Sequence, residues 1–405
     1  MSNFAFGTYR ITDENPQHVQ SIIDAIEAGV RLIDTSSNYM DGASEKAIAK
    51  ALRHFDDTIR DEIEIVSKFG YIQGSNMLRH KEEPFEDVVE YSESCFHSIS
   101  KSFMLDQLEQ SLLRLELTQI DCYLLHNPEY YIFNALNNNM PRDEALDNMF
   151  DRIFDVFVAL EEQVTNGTIK SYGISSNSFS KDHNNIEFLP YEDLITLADR
   201  AAEVAGNELH SFTTMQLPIN MLETEGLKCA SWAKKNGLRV LVNRPLNAQE
   251  GELMYRLADY DESSEYYSHL NELLQVSDTD ELRSLYNMIE QLDDNKHKYG
   301  WIGDYDSFLY SQIIPHIQKS LEGLDEQSFN TMFSYVDMFL RDYRKMVAYE
   351  CSKNTRVALK EYLTECNVSL QECALKFLSQ RENIDYILIG MRKSSYVHDI
   401  MALKE

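Results

Sequence analysis

The sequence predicts an α/β chain folded as a (β/α)8 TIM barrel with a helical insertion. Three observations carry this. An amphipathic helix, a glycine stop and a short β-branched strand recur in that order; eight strand-like segments alternate with helix-periodic ones; and no GxGxxG follows any strand. Serial βα units favour a closed barrel, and the missing glycine fingerprint disfavours an open dinucleotide-binding sheet.

Taken in order, Phe4–Thr8 is the first strand-like run, and SIIDAIEAG ends at Gly29 before VRLIDTS. Ile63–Ser67 follows, then a helix period over Phe103–Leu115 and a strand at Ile120–Leu125. VFVALEEQVTNG ends at Gly167 before TIKSYGIS, the period over Tyr191–Ala205 leads to Thr213–Leu217, and CASWAKKNG ends at Gly237 before LRVLVN. Each of these glycines can take the left-handed conformation that closes a helix, and the β-branched run after it suits a buried parallel strand. A capping box at Ser369 and Glu372 opens the last helix before the strand Asp385–Ile389.

Three segments are too long for ordinary connections. Phe69–Lys101 and Asn127–Asn148 follow the third and fourth strands and would project from the catalytic face. The third is acidic and helix-periodic (ELRSLYNMIEQLDD, YDSFLYSQIIPHIQKSL, SFNTMFSYVDMFLRDYRKM). The expected division is therefore 1–248 for the first seven βα units, 249–350 for the helical insertion, and 351–405 for the closing helices and eighth strand.

Lys plus Arg number 37 against 67 Asp plus Glu, a net charge of −30. That balance repels nucleic acid and anionic membrane surfaces, so an anionic cofactor needs local cations or helix N-termini. The cysteines lack CxxC spacing and predict reduced thiols, and no HExxH or paired Cys/His spacing suggests a metal. The opening MSNFAFGTYRITDENP has neither a basic nor an apolar targeting region, which predicts a soluble cytoplasmic protein without a membrane span. Oligomeric state is not legible.

In a barrel enzyme, polar residues at the C-terminal strand ends are the ones expected to do chemistry. Asp34 closes VRLID, Lys68 closes IEIVSK, His126 closes DCYLLH, and Tyr39 lies five residues past Asp34. Singly, each has an ordinary role: a turn aspartate, a solvated lysine, a packing tyrosine, a satisfied buried histidine. Together they describe four groups able to converge at one barrel mouth.

GVRLIDTSSNYMDGASEKAIAKAL resembles the signature of the aldo-keto reductase family. FGTYR, VSKFG, LDQLEQSLLRLELTQIDCYLLHNPE, KSYGISSN, MQLPIN, NRPL and ILIGMR follow in family order. The resemblance implies hydride transfer from a nicotinamide to a carbonyl carbon, with Tyr39 as general acid. Lys68 would lower the phenol's pKa, Asp34 would hold the ammonium, and His126 would orient the carbonyl. It also implies Ser175, Asn177 and Gln216 at the nicotinamide carboxamide, and Arg392 after Gly390 at an adenosine 2′-phosphate, which favours NADP(H) while leaving NAD(H) open. The chain departs from the family at Asn243, where an aromatic usually stacks on the ring, and at Arg244, whose charge suits the pyrophosphate. Tyr396 and Ile400 replace the usual adenine-side amides.

The function that follows is reduction of a small aldehyde, ketone or sugar carbonyl. An NAD(P)+-dependent sugar or alcohol dehydrogenase uses the same residues in reverse. A slow nucleotide-binding regulatory protein is the reading from a different class.

Overall fold

The computed structural model describes residues 3–404 except 252 and 365. They form two compact units: one runs to Pro245 and resumes at Phe377, the other is Leu246–Lys376.

The first unit is a closed parallel barrel of β1 (Asn3–Gly7), β2 (Leu32–Asp34), β3 (Glu64–Phe69), β4 (Ile120–His126), β5 (Ile169–Ser175), β6 (Phe212–Pro218), β7 (Arg239–Asn243) and β8 (Tyr386–Ile389). All eight expected strands are present, and β1 closes the circle by pairing with both β2 and β8. Gly29, Gly167 and Gly237 have φ of +92°, +77° and +74°, the left-handed region that lets each chain leave its helix and enter the next strand. Ala5, Leu32, Val66, Cys122, Leu124, Leu241 and Leu388 form one buried cluster drawn from six of the strands. Because side chains alternate along a strand, these apolar positions also fix which residues reach the mouth.

The helices of this unit are α1 (Pro16–Glu27), α2 (Ala43–Leu52), α3 (Lys101–Leu115), α4 (Arg142–Thr165), α5 (Leu194–Ala205), α6 (Gly226–Lys235) and α8 (Ser394–Met401), while α7 (Leu370–Ser379) begins in the second unit and ends in the first. At α7 the Ser369 hydroxyl accepts the Glu372 amide at 3.3 Å, one half of the capping box. The two long segments after β3 and β4 are structured. Tyr71–Ile72, Val89–Ser92 and Cys95–His97 make a three-stranded antiparallel sheet beside the helix Ser75–Glu82, and Tyr130–Asn137 is helical.

The second unit begins with an antiparallel ribbon, Asn247–Glu250 against Leu253–Arg256, and continues as helices, the longest being Glu326–Ala358. Its own core gathers Tyr266, Leu273, Leu285, Tyr305, Phe339 and Tyr343. The period read through YDSFLYSQIIPHIQKSL is broken by a π-helical turn at Leu309–Ile313. Pro315, which lacks an N–H and crowds the carbonyl four residues back, accounts for that widening. One expectation is corrected here: Cys366 and Cys373 are joined as a disulfide, with Cα atoms 5.9 Å apart, while Cys95, Cys122, Cys229 and Cys351 are free. The seven-residue spacing gave no sign of this, because the turn into α7 brings the two together. Among the described residues no helix is long and apolar enough to cross a membrane.

Candidate active site at the barrel mouth

The strand register brings the expected residues to one end of the barrel. Lys68 lies opposite Leu124 on β4, His126 opposite Ser175 on β5, and Ser175 opposite Gln216 on β6. The Lys68 ammonium is fully buried and donates to the Asp34 carboxylate at 2.8 Å, to the Thr35 carbonyl at 2.6 Å and to the Tyr39 hydroxyl at 3.3 Å. Gln216 Nε2 donates to the other side of Asp34 at 2.7 Å, and the Ser175 hydroxyl donates to Gln216 Oε1 at 2.9 Å. A single hydrogen-bonded line thus runs Ser175, Gln216, Asp34, Lys68, Tyr39.

Tyr39 begins a tight turn in which Met40, Asp41 and Gly42 have φ of +50°, +55° and +82°. Left-handed backbone at two non-glycine residues costs roughly 1–2 kcal/mol each. Asp41 offsets part of this by accepting the Ser75 amide at 3.0 Å and its hydroxyl at 2.8 Å, which ties the turn to the helix after β3. The Tyr39 ring meets Tyr9 and His126 edge-on, with centroids 5.2 and 5.9 Å apart.

His126 is fixed from two directions. Its Nδ1 lies 3.1 Å from the Ser36 hydroxyl, and its carbonyl oxygen lies 2.7 Å from His97 Nε2, in the sheet after β3. Gly70 permits that approach: a Cβ there would lie 2.6 Å from both the His126 oxygen and His97 Nε2. Tyr71 packs its ring against His126 at 4.8 Å.

Burial dominates the electrostatics. It pushes the Asp34 carboxyl up and the Lys68 ammonium down, each against the attraction of the other. Burial, then the fields of Lys68 and His97, holds His126 well below its ordinary value, so the imidazole is neutral at physiological pH. The Tyr39 phenol stands well above its ordinary value: burial pushes it up most, then the Asp34 carboxylate and Tyr9, and together they outweigh the Lys68 ammonium 3.3 Å away.

The remaining expected residues occupy their own places. Asn177 follows β5, where its amide N–H donates to Glu129 at 2.9 Å and its side chain reaches Asn127 at 3.4 Å. Arg244 follows β7 and pairs with Glu223 at 2.7 Å. Gly390 and Arg392 form the exposed turn between β8 and α8. Sequence reasoning missed Ser36, Tyr71, His97 and Glu129. Ser36 shares Asp34's side of the chain by the two-residue period, and Glu129 is three residues past His126, so both carried a readable signal. Tyr71 and His97 belong to a sheet formed within an apparent loop and carried none.

A family model described as Aldo/keto reductase family matches residues 3–404. NADPH-dependent codeinone reductase 1-2 of Papaver somniferum is 27% identical over 183 residues, 45% of this chain and 48% of that protein. Aldo-keto reductase YhdN of Bacillus subtilis (strain 168) is 27% identical over 135 residues, 32% of this chain and 35% of that protein. The chain therefore spans half or less of these two curated relatives. The solved holo form of aldo-keto reductase AKR11C1 from Bacillus halodurans covers 100% of this chain and 86% of its own length, at 17% identity and a TM-score of 0.50, a likeness of fold.

Proposed function

The chain belongs to the aldo-keto reductase family, and on that premise we propose that it is an NADP(H)-dependent oxidoreductase reducing a small aldehyde, ketone or sugar carbonyl, with Tyr39 as proton donor. The observation that carries this is the buried line from Ser175 through Gln216, Asp34 and Lys68 to the Tyr39 hydroxyl. It connects the residues suited to a carboxamide with the residue suited to protonate a carbonyl oxygen.

The polar groups fit a nicotinamide. Asn243 Oδ1 and Ser178 Oγ are buried and have no hydrogen-bond partner among the described residues. They follow or end β7 and β5, on either side of Gln216 on β6. A carboxamide offers both a donor and an acceptor to such a set. When bound, the nicotinamide supplies the hydride, which charges the carbonyl oxygen negatively. Ser175, Asn177 and Gln216 would orient the carboxamide. Arg392 and Lys393, exposed at the start of α8, present a guanidinium fork, an ammonium and a helix N-terminus to a 2′-phosphate. Arg244 reaches a pyrophosphate only by exchanging Glu223 for it.

The side chains then divide the work. Tyr39, protonated because its phenol is held high, gives its proton to the developing oxyanion. Lys68 stabilises the resulting phenolate, and Asp34 keeps the ammonium aimed at it. Neutral His126 positions the carbonyl oxygen, with Ser36 holding its Nδ1 side. The reductase named above from Papaver somniferum, an NADPH-dependent enzyme by its name, is in keeping with this cofactor.

Fluorescence titration with NADPH and NADH, followed by a panel of aldehydes, ketones and aldoses, tests the proposal. NADPH should bind at least about tenfold more tightly, a difference of ~1.4 kcal/mol, and support turnover of a carbonyl. Binding of neither nucleotide would remove the proposal.

A further inference from the structure

We infer that Glu129 is a positioning residue for the nicotinamide end of the cofactor site, holding the loop after β5 in its binding shape and making cofactor affinity depend on pH. The inference rests on the cofactor reading above and adds to it a control over that same site.

Glu129 precedes the helix Tyr130–Asn137, where a carboxylate ordinarily caps the amides of its own helix. Its side chain makes no such bond. It crosses instead to the neighbouring strand's loop. One oxygen accepts the Ser176 hydroxyl at 2.8 Å and the other the Asn177 amide at 2.9 Å. Ser176 Oγ in turn accepts the Ser178 amide at 3.1 Å. The carboxylate thereby holds Ser176 and Asn177 directly and Ser178 through Ser176, three successive residues after Ser175 with Asn177 in the middle of them. Asn127 reinforces the link: its amide donates to the Ser175 carbonyl at 2.7 Å.

Among the described residues Glu129 has no ion-pair partner, and it is 1% exposed. A carboxylate so buried and held only by neutral donors is costly to ionise. Burial pushes it up to about 7, against the pull of those donors. The titratable groups facing it are the Tyr71 and Tyr130 phenols, both held above their ordinary value and neutral in this range. His126, three residues upstream, is also neutral. A pH change near 7 therefore falls on Glu129 itself. Ionised, it accepts all the converging donors. Protonated, one oxygen becomes a donor, the set can no longer be satisfied, and the loop carrying Asn177 relaxes. Affinity for the cofactor should fall as pH falls.

The test is the NADPH dissociation constant of the full chain, from pH 5.5 to 8.5, for wild type, Glu129→Gln and Ser176→Ala. The cofactor's own phosphate titrates identically in all three, so the variant-to-wild-type ratio isolates the protein. For Glu129→Gln the ratio should be about tenfold at pH 8.5 and approach one at pH 5.5. Ser176→Ala leaves the carboxyl in place but removes a donor, so the midpoint of the pH dependence should move upward. This second variant keeps the test valid if the first fails to fold. A ratio independent of pH, or an unmoved midpoint in Ser176→Ala, overturns the inference while leaving the cofactor reading intact. Wild type that binds no NADPH at any pH overturns both.

Discussion

β3 carries Glu64 at the base of the barrel and Lys68 at the mouth, and β4 carries Asp121 and His126 in the same way. At the base, Glu64 pairs with Arg239 and Asp121 with Lys170, with side-chain exposures of 27% and 24% and of 20% and 61%. These residues border an open depression, and each ion is matched by one opposite charge. At the mouth, Lys68 and Asp34 are 0% and 5% exposed, and the ammonium is shared with a phenol. Charge on a strand end therefore does not distinguish the proposed reactive site from a structural one. What distinguishes it is charge withdrawn from water and left joined to a group that can give up a proton.

The comparison predicts unequal responses to the same kind of change. Lys68→Met strands the Asp34 carboxylate in a dry site and should cost about 3–5 kcal/mol in urea unfolding. It should also lower turnover by roughly 100-fold or more. Arg239→Met at the base should cost only about 1 kcal/mol and leave turnover unchanged. Equal losses of turnover would erase the distinction between the two ends.

A smaller effect concerns acid stability. Burial lowers His97 from its ordinary value of 6.5 to about 4. Between those values the unfolded chain binds a proton that the folded chain refuses. The stabilisation is therefore full above pH 6.5 and is lost as pH falls towards 4, by ~3 kcal/mol for this residue. His126, also held low, adds to the same slope. In unfolding experiments over pH 4–7, His97→Gln should flatten the decline; an unchanged slope would mean that the imidazole is not refused its proton.

The barrel was legible because its signals are local and repeated: a helix period, a glycine at positive φ, then a β-branched run. Asp34, Lys68 and His126 were legible because a strand end is a position that sequence can mark. Tyr39 came with the family's motif. The direction of its pKa shift was not legible, since it is set by burial first and then by the Asp34 carboxylate and Tyr9, and burial is not a property of spacing. His97 and Tyr71 were hidden because pairing within Phe69–Lys101 is set by contacts with β4, not by alternation in the segment itself. The disulfide of Cys366 and Cys373 depended on the geometry of a turn. Glu129 was visible in HNPE as a residue, but its partners lie 47 and 48 positions away.

If Tyr39 delivers the proton from a buried relay, the decisive comparison is single-turnover reduction of a small aldehyde by NADPH in wild type and in Tyr39→Phe. The ring stays, only the hydroxyl goes, and NADPH binding should be nearly unchanged. NADPH oxidation should be roughly 100- to 10,000-fold slower in the variant. A rate within a few-fold of wild type would mean that another group supplies the proton.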